Sequence, residues 1–198
     1  MNTLPESILL HARSLPEGGV LFPKEFLHIG SRVAIDQAFS RLVKSGKLLR
    51  VARGSYAAPI SGRFGARTPA PEKVVQSLAA QSGEMIAPHG ASAANALGLT
   101  QQVPIREVYL TSGRTRKLKL GQSEVLIKHV PRWMLALGTG PAGSAVRALA
   151  WLGPTHVENA LVTLHRTLPL AEWRTLTAAR AALPSWLAKA IGGESARA

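Results

Sequence analysis

GSRVAIDQAFSRLVKSGKLLRVARGSY, residues 30–56, changes its hydrophobic period in mid-stretch. Ser31 stands where a helix N-cap belongs, and Ile35, Ala38, Phe39, Leu42 and Val43 then recur at helical spacing along one stripe. At about 100° per residue, the opposite side carries Val33, Gln37, Ser40, Arg41 and Lys44, a polar and basic face. Gly46 ends the helix. KLLRVARGSYAAP then alternates, with Leu48 or Leu49, Val51 and Tyr56 around a tight Arg53-Gly54 turn, which marks a two-stranded hairpin.

Working outward from this stretch, residues 4–15 fit a first helix with Ile8, Leu9, Ala12 and Leu15 on one face and Pro5 tolerated in the opening turn. VLFP, residues 20–23, reads as a short strand, and PKEFLHIG as a brief second helix closed by Gly30. Three helices and a hairpin in this order are the arrangement of a winged helix-turn-helix, expected over residues 1–60. Residues 61–71 concentrate Gly, Pro, Ser, Thr and Arg and read as a linker. Residues 72–198 read as an α+β domain. It has helices in EKVVQSLAAQSG and ASAANALGL, strands in REVYLTS, RKLKLG and SEVLIKHV, and helical segments from Pro141 broken at Gly153-Pro154, Pro169 and Pro184. The final GGESARA reads as a frayed tail. The expected class is α+β throughout, and no heptad or other dimer seam is evident, so the oligomeric state stays open.

The 198 residues carry 24 Lys plus Arg against 11 Asp plus Glu, a formal net charge of +13 and a pI near 11.3. Such a field attracts polyanions, whether nucleic acid, an anionic membrane surface or an acidic protein, and the fold has to choose among them. The absence of cysteine excludes disulfides, thiolate metal sites and Cys nucleophiles. MNTLPESILLHARSLPEG lacks the basic start and long apolar run of a signal peptide, and no stretch reaches the roughly 18–20 apolar residues of a membrane span. A cytoplasmic protein with no membrane partner is expected.

A helix that reads duplex DNA needs donors and small apolar groups toward base edges, and flanking cations on the phosphates. Arg32, Val33, Gln37 and Arg41 are the expected base readers: Gln37 suits adenine, Arg32 or Arg41 guanine, and Val33 a thymine methyl. Ser31, Ser40 and Lys44 on the helix, with Lys47, Arg50 and Arg53 on the wing, are the expected phosphate contacts, and Arg63 and Arg67 lie just beyond. Residues 1–67 hold ten basic and four acidic side chains, the footprint of a backbone clamp. The competing reading is an ordinary amphipathic surface helix, or a winged module that binds protein.

FPKEFLHIGSRVAIDQAFSRLVKSGKLLRVARGSYAAP resembles the N-terminal winged domain of AbiEi-type antitoxins, most sharply in Leu42, Val43, Lys44, Ser45, Gly46 and Lys47 leading to Arg53, Gly54, Ser55 and Tyr56. PHGASAANALGLTQQVPIREVYLTSGRTRKLKLG is similar to the antitoxin domain that follows in that family, and the likeness runs over residues 5–165. The resemblance implies a transcriptional autorepressor that binds inverted repeats in its own promoter and counteracts a nucleotidyltransferase-like toxin. The alternatives are a stand-alone regulator whose second domain senses a ligand or mediates assembly, and an RNA-binding protein or enzyme using the basic α+β region.

Other signals are weaker. Residues 138–143, GTGPAG, match the dinucleotide fingerprint G-x-G-x-x-G, but WMLAL before them is no clear strand and no acidic residue follows in the expected place, so a helix-opening turn is the better reading. Arg114, Arg116, Lys117 and Lys119 form a second basic cluster that either extends a nucleic-acid surface, receives an acidic partner, or merely guards an edge strand with charge. The six histidines show no metal-ligand spacing, and neither a nucleophile elbow, a Walker loop nor paired carboxylates occur. No cofactor, no metal and no catalytic residue is expected. Trp133, Trp151, Trp173 and Trp186 are expected mainly in the core, with room for one exposed partner anchor.

Overall fold

A computed structural model describes residues 3–63 and 65–197. The chain is α+β and divides into two compact units, Met1–Glu84 with Lys117–Val125, and Met85–Arg116 with Leu126–Ala198.

The first unit opens with α1 (Leu4–Ser14), capped at Thr3 by a capping box in which the Thr3 N–H donates to Glu6 Oε2 at 2.7 Å. Strand β1 (Val20–Leu21) and a short 3-10 helix (Pro23–Phe26) follow. α2 spans Arg32–Lys44, and the Ser31 hydroxyl accepts from the Ala34 N–H at 3.3 Å as N-cap. Its apolar stripe is buried as the spacing requires: Ile35, Ala38, Phe39 and Leu42 join Ile8, Ala12, Leu21, Phe26 and Leu48 in one core, with Val43 half-buried at the rim. Phe39 is the centre of an aromatic chain, edge-on to Phe26 at 5.6 Å and tilted against Tyr56 at 4.6 Å.

Strands β2 (Leu49–Ala52) and β3 (Ser55–Ala57) form the expected hairpin, and β3 also pairs with β1, giving the antiparallel order β1-β3-β2. At its tip Gly54 takes φ +71° whereas Arg53, like every other described non-glycine residue, keeps φ negative. The mirror-image turn usual in two-residue hairpins needs positive φ at both positions. A register shift between Arg50 and Ala52 accompanies this departure.

Residues expected as a linker are instead paired: β4 (Ile60–Gly62) and β5 (Gly65–Arg67) make a second small antiparallel hairpin. α3 (Pro71–Ser82), which the sequence placed in the second domain, belongs by its contacts to the first unit. It buries Val74, Val75 and Leu78, and its Ser77 hydroxyl accepts from the Val20 N–H at 3.0 Å. Glu17 fastens the same region, receiving Arg67 at 3.1 Å, the Lys73 ammonium and the Ala70 N–H. Those donors, Lys73 foremost, hold its carboxyl below the usual carboxylate range.

The second unit contains a strand the sequence did not reveal, β6 (Ile86–Pro88), antiparallel to β7 (Val108–Thr111). Lys117–Val125, counted with the first unit, hold nearly all of β8 (Arg116–Leu120), its turn at Gly121-Gln122 and the start of β9 (Ser123–His129); the rest of β9, in the second unit, runs parallel to β7 in the register Val108↔Leu126 to Thr111↔His129. Small residues allow α4 (Gly90–Ala96) to lie close on α5 (Pro141–Leu152), with Ala93 and Ala94 against Ala148. α6 (Val157–Thr167), α7 (Leu170–Ala178) and α8 (Ser185–Arg197) complete a helical core with Leu149, Leu161, Leu164, Leu176, Leu187 and Ile191 at its centre. The GGESARA segment is not a frayed tail over its described residues: α8 runs through it, with Glu194 3.6 Å from the ring of His165. No helix among the described residues is long and apolar enough to cross a membrane.

Candidate nucleic-acid interface

Burying Ile35, Ala38, Phe39 and Leu42 forces the complementary residues of α2 outward. Arg32, Val33, Asp36, Gln37, Ser40, Arg41 and Lys44 are all exposed; Val33, Gln37, Ser40, Arg41 and Lys44 share the face opposite the core by their spacing, while Arg32 and Asp36 lie at its edge by the helix N-terminus. Val33 is 67% exposed, which no packing need explains. The hairpin adds exposed Arg50 and Arg53, with Lys47 exposed at its root. Ser31 is also exposed, with its hydroxyl engaged as the cap. Every residue expected at bases or phosphates therefore reaches solvent from the first unit, and none is drawn into its core.

The electrostatics of this surface is uneven. Arg32 Nε donates to Asp36 Oδ2 at 2.9 Å, an exposed i,i+4 pair. Arg41, Lys44, Lys47, Arg50 and Arg53, by contrast, have no carboxylate partner among the described residues. Unpaired, exposed guanidinium and ammonium groups are the donors a phosphodiester backbone accepts from. Arg67 is committed to Glu17, whereas Arg63 is exposed at the end of β4. The sequence reading overlooked two features here. Asp36 lies four residues after Arg32, a spacing that announces an ion pair. The β4–β5 hairpin has both faces exposed, so it carries no hydrophobic alternation to read.

The second basic cluster is not brought together as one free surface. Lys117 is paired with Glu124 at 2.9 Å, and Arg116 is half-buried with its Nη1 donating to the Arg114 carbonyl at 3.3 Å. Lys119 and Arg114 are exposed. Lys117 and Lys119 alternate with buried Leu118 and Leu120, the pattern of a strand with one solvent face.

GTGPAG has no strand before it, only a 3-10 helix over Arg132–Leu135, and Gly140 is the N-cap of α5. The helix end that would receive a pyrophosphate already holds a carboxylate, since the Ala142 N–H donates to Glu172 Oε2 at 2.8 Å. Gly143 is needed for packing: a Cβ there would lie 2.2 Å from the Gly138 carbonyl oxygen. Of the tryptophans, Trp173 is buried, Trp133 and Trp186 pack half-buried on the helical core, and Trp151 is 38% exposed. Among the described residues no group of three or more His, Asp or Glu is placed to hold a metal ion.

A family model described as "Family of unknown function (DUF6088)" matches residues 7–168. No curated protein matches the sequence. Among solved structures, the crystal structure of the RV2827C protein from Mycobacterium tuberculosis is similar with a TM-score of 0.48 and 17% identity, covering 98% of this chain and 82% of that one.

Proposed function

Because this chain belongs to the DUF6088 family of unknown function, we propose a role from its own geometry: a DNA-binding transcriptional repressor whose residues 1–60, within the first unit, are a winged helix-turn-helix. The element order supports that reading, with α1, β1, a helical turn, α2 and the β2–β3 hairpin in succession and a sheet order of β1-β3-β2. The observation that carries it is the outward face of α2 together with the hairpin, where five cations lie exposed without a carboxylate partner among the described residues. α2 enters the major groove with Arg32, Val33, Gln37 and Arg41 at base edges, while Ser40, Lys44, Lys47, Arg50 and Arg53 hold phosphates. No catalytic step and no cofactor belong to this function. Resemblance to AbiEi-type antitoxins extends it: the promoter sites are inverted repeats, and the second unit counteracts a nucleotidyltransferase-like toxin in the cytoplasm.

Footprinting of the full chain on the DNA upstream of its own gene is the decisive test. Protection of paired inverted half-sites is expected, with affinity falling steeply as salt rises, by about 0.9 in log–log slope for each phosphate contact. Arg41→Ala with Gln37→Ala should relax base preference at the positions they read. Indifference to that DNA at low ionic strength, or an unaltered preference in the double variant, would defeat the assignment. If binding holds but coexpression with the product of the neighbouring gene relieves no toxicity, the stand-alone regulator replaces the antitoxin.

A further inference from the structure

Asp36 is out of place at the edge of the face just described. It is the sole acidic residue of α2, it is exposed, and its i−4, i−3 and i+4 neighbours Arg32, Val33 and Ser40 are all residues proposed to meet a polyanion. A carboxylate there repels phosphate, so its presence has to be accounted for.

Helix stability does not account for it. The favoured i,i+4 order puts the acid N-terminal to the base, and here the order is reversed. Arg32 also occupies the first turn, at the positive end of the helix dipole, and α2 has no acidic residue in that turn. With side chains 61% and 50% exposed, the pair contributes little to folding.

Its geometry suits a different task. Asp36 engages Nε of Arg32 at 2.9 Å, and the two terminal nitrogens of the guanidinium, Nη1 and Nη2, have no hydrogen-bond partner among the described residues. A guanidinium engaged through Nε is biased away from swinging toward a phosphate, while its terminal nitrogens remain available. In the helix-turn-helix geometry the N-terminal residues of the recognition helix approach base edges, and Arg32 is the first residue of α2.

Building on the DNA-binding reading above, we infer that Asp36 is a positioning residue for base readout: it aims Arg32 at a guanine of each half-site and makes its own face unwelcoming to unspecific duplex. The ligand class is thus a duplex carrying guanine where the α2 N-terminus lies, with Arg32 donating to O6 and N7.

The test compares wild type, Asp36→Ala, Asp36→Asn and Arg32→Ala, all as full chains, on three duplexes: the footprinted operator, the same operator with 7-deazaguanine at single guanines, and random sequence of equal length. Asp36→Ala should bind random duplex several-fold more tightly and lose roughly 5- to 150-fold of its preference for the operator, the range of one bidentate base contact. Removing N7 at one guanine should weaken wild type and leave Arg32→Ala and Asp36→Ala indifferent at that position, with Asp36→Asn between them. A purely structural role would weaken operator and random duplex alike, and a mere charge effect would strengthen both alike. Either result, or unchanged discrimination, overturns the inference. If Asp36→Ala instead loses preference at a cytosine, the carboxylate itself reads the exocyclic amine and the Arg32 assignment falls. Should wild type show no preference for its own upstream DNA, the parent reading fails and takes this one with it, whereas discrimination that survives Asp36→Ala sinks this one alone.

Discussion

Arg41 in the first unit and Arg147 in the second both lack a carboxylate partner among the described residues, for opposite reasons. Arg41 is exposed on the outer face of α2. Arg147 is wholly buried on α5, its Nη1 donating to the Gly138 carbonyl at 2.7 Å and its Nη2 to the Ser144 hydroxyl at 3.1 Å, with Nε unsatisfied among the described residues. Burial pushes the Arg147 guanidinium down to about 10. One arginine is available to a partner and the other is a fastener for the turn before its own helix. A net charge of +13 counts both equally, which is why charge alone names a class of partner but no surface.

The contrast can be attacked at its strongest point first. Arg147→Ala should destabilise the second unit by about 3 kcal/mol or more, since it leaves a cavity and strands the Gly138 carbonyl. Arg147→Met, which keeps volume and removes the buried charge, should cost less. All four tryptophans lie in the second unit, so intrinsic fluorescence during thermal unfolding isolates this effect. An unchanged Tm in Arg147→Ala would show that the buried guanidinium fastens nothing.

A smaller effect is expected at the N-cap of α2. Ser31→Ala should cost the first unit about 1 kcal/mol, and Ser31→Asn should restore it. Calorimetry on the full chain, read against the tryptophan signal, separates this loss from any change in the second unit. Equal shifts in both signals would mean that the units do not melt separately.

The mildest effect concerns acid. His89 caps α4, its Nδ1 accepting from the Ala91 N–H at 3.2 Å, and burial together with the nearby Lys128 charge holds its imidazole below the ordinary value near 6.5. An unfolded chain therefore takes up this proton at a higher pH than the folded one. The stability His89 contributes is present above about pH 6.5 and is lost as pH falls through the lower folded value. His89→Asn should flatten this part of the tryptophan-detected stability profile between pH 7 and pH 5; a profile of unchanged slope would dismiss the cap as its source.

What the sequence disclosed follows from where strong local signals coincide. α2 was legible because an N-cap, a five-residue apolar stripe and a terminal glycine agreed, and the first hairpin because Arg53-Gly54 interrupts an alternating run. The β4–β5 hairpin was hidden because its three-residue strands have no inward face, and composition then spoke for a linker. β6 was hidden because three residues ending at Pro88 become a strand only through pairing with β7. GGESARA, read as a terminal segment prone to fraying, offers no large apolar residue to mark a buried face, yet Ile191 just before it is buried in the helical core and α8 continues past it. The outward residues of the candidate site could be listed from periodicity. Their pairing was legible only for Arg32, whose i,i+4 spacing to Asp36 announces it; Glu124 meets Lys117 across a strand turn, and no helical spacing marks that.

Glu17 has a reach out of proportion to its size. One carboxylate ties the loop after α1 to the base of the second hairpin and to the first turn of α3, and together with the Ser77–Val20 bond it closes the length of chain carrying α2 and both hairpins into a ring. Loss of that one carboxylate would set Arg67, the Lys73 ammonium and the Ala70 N–H loose at a stroke.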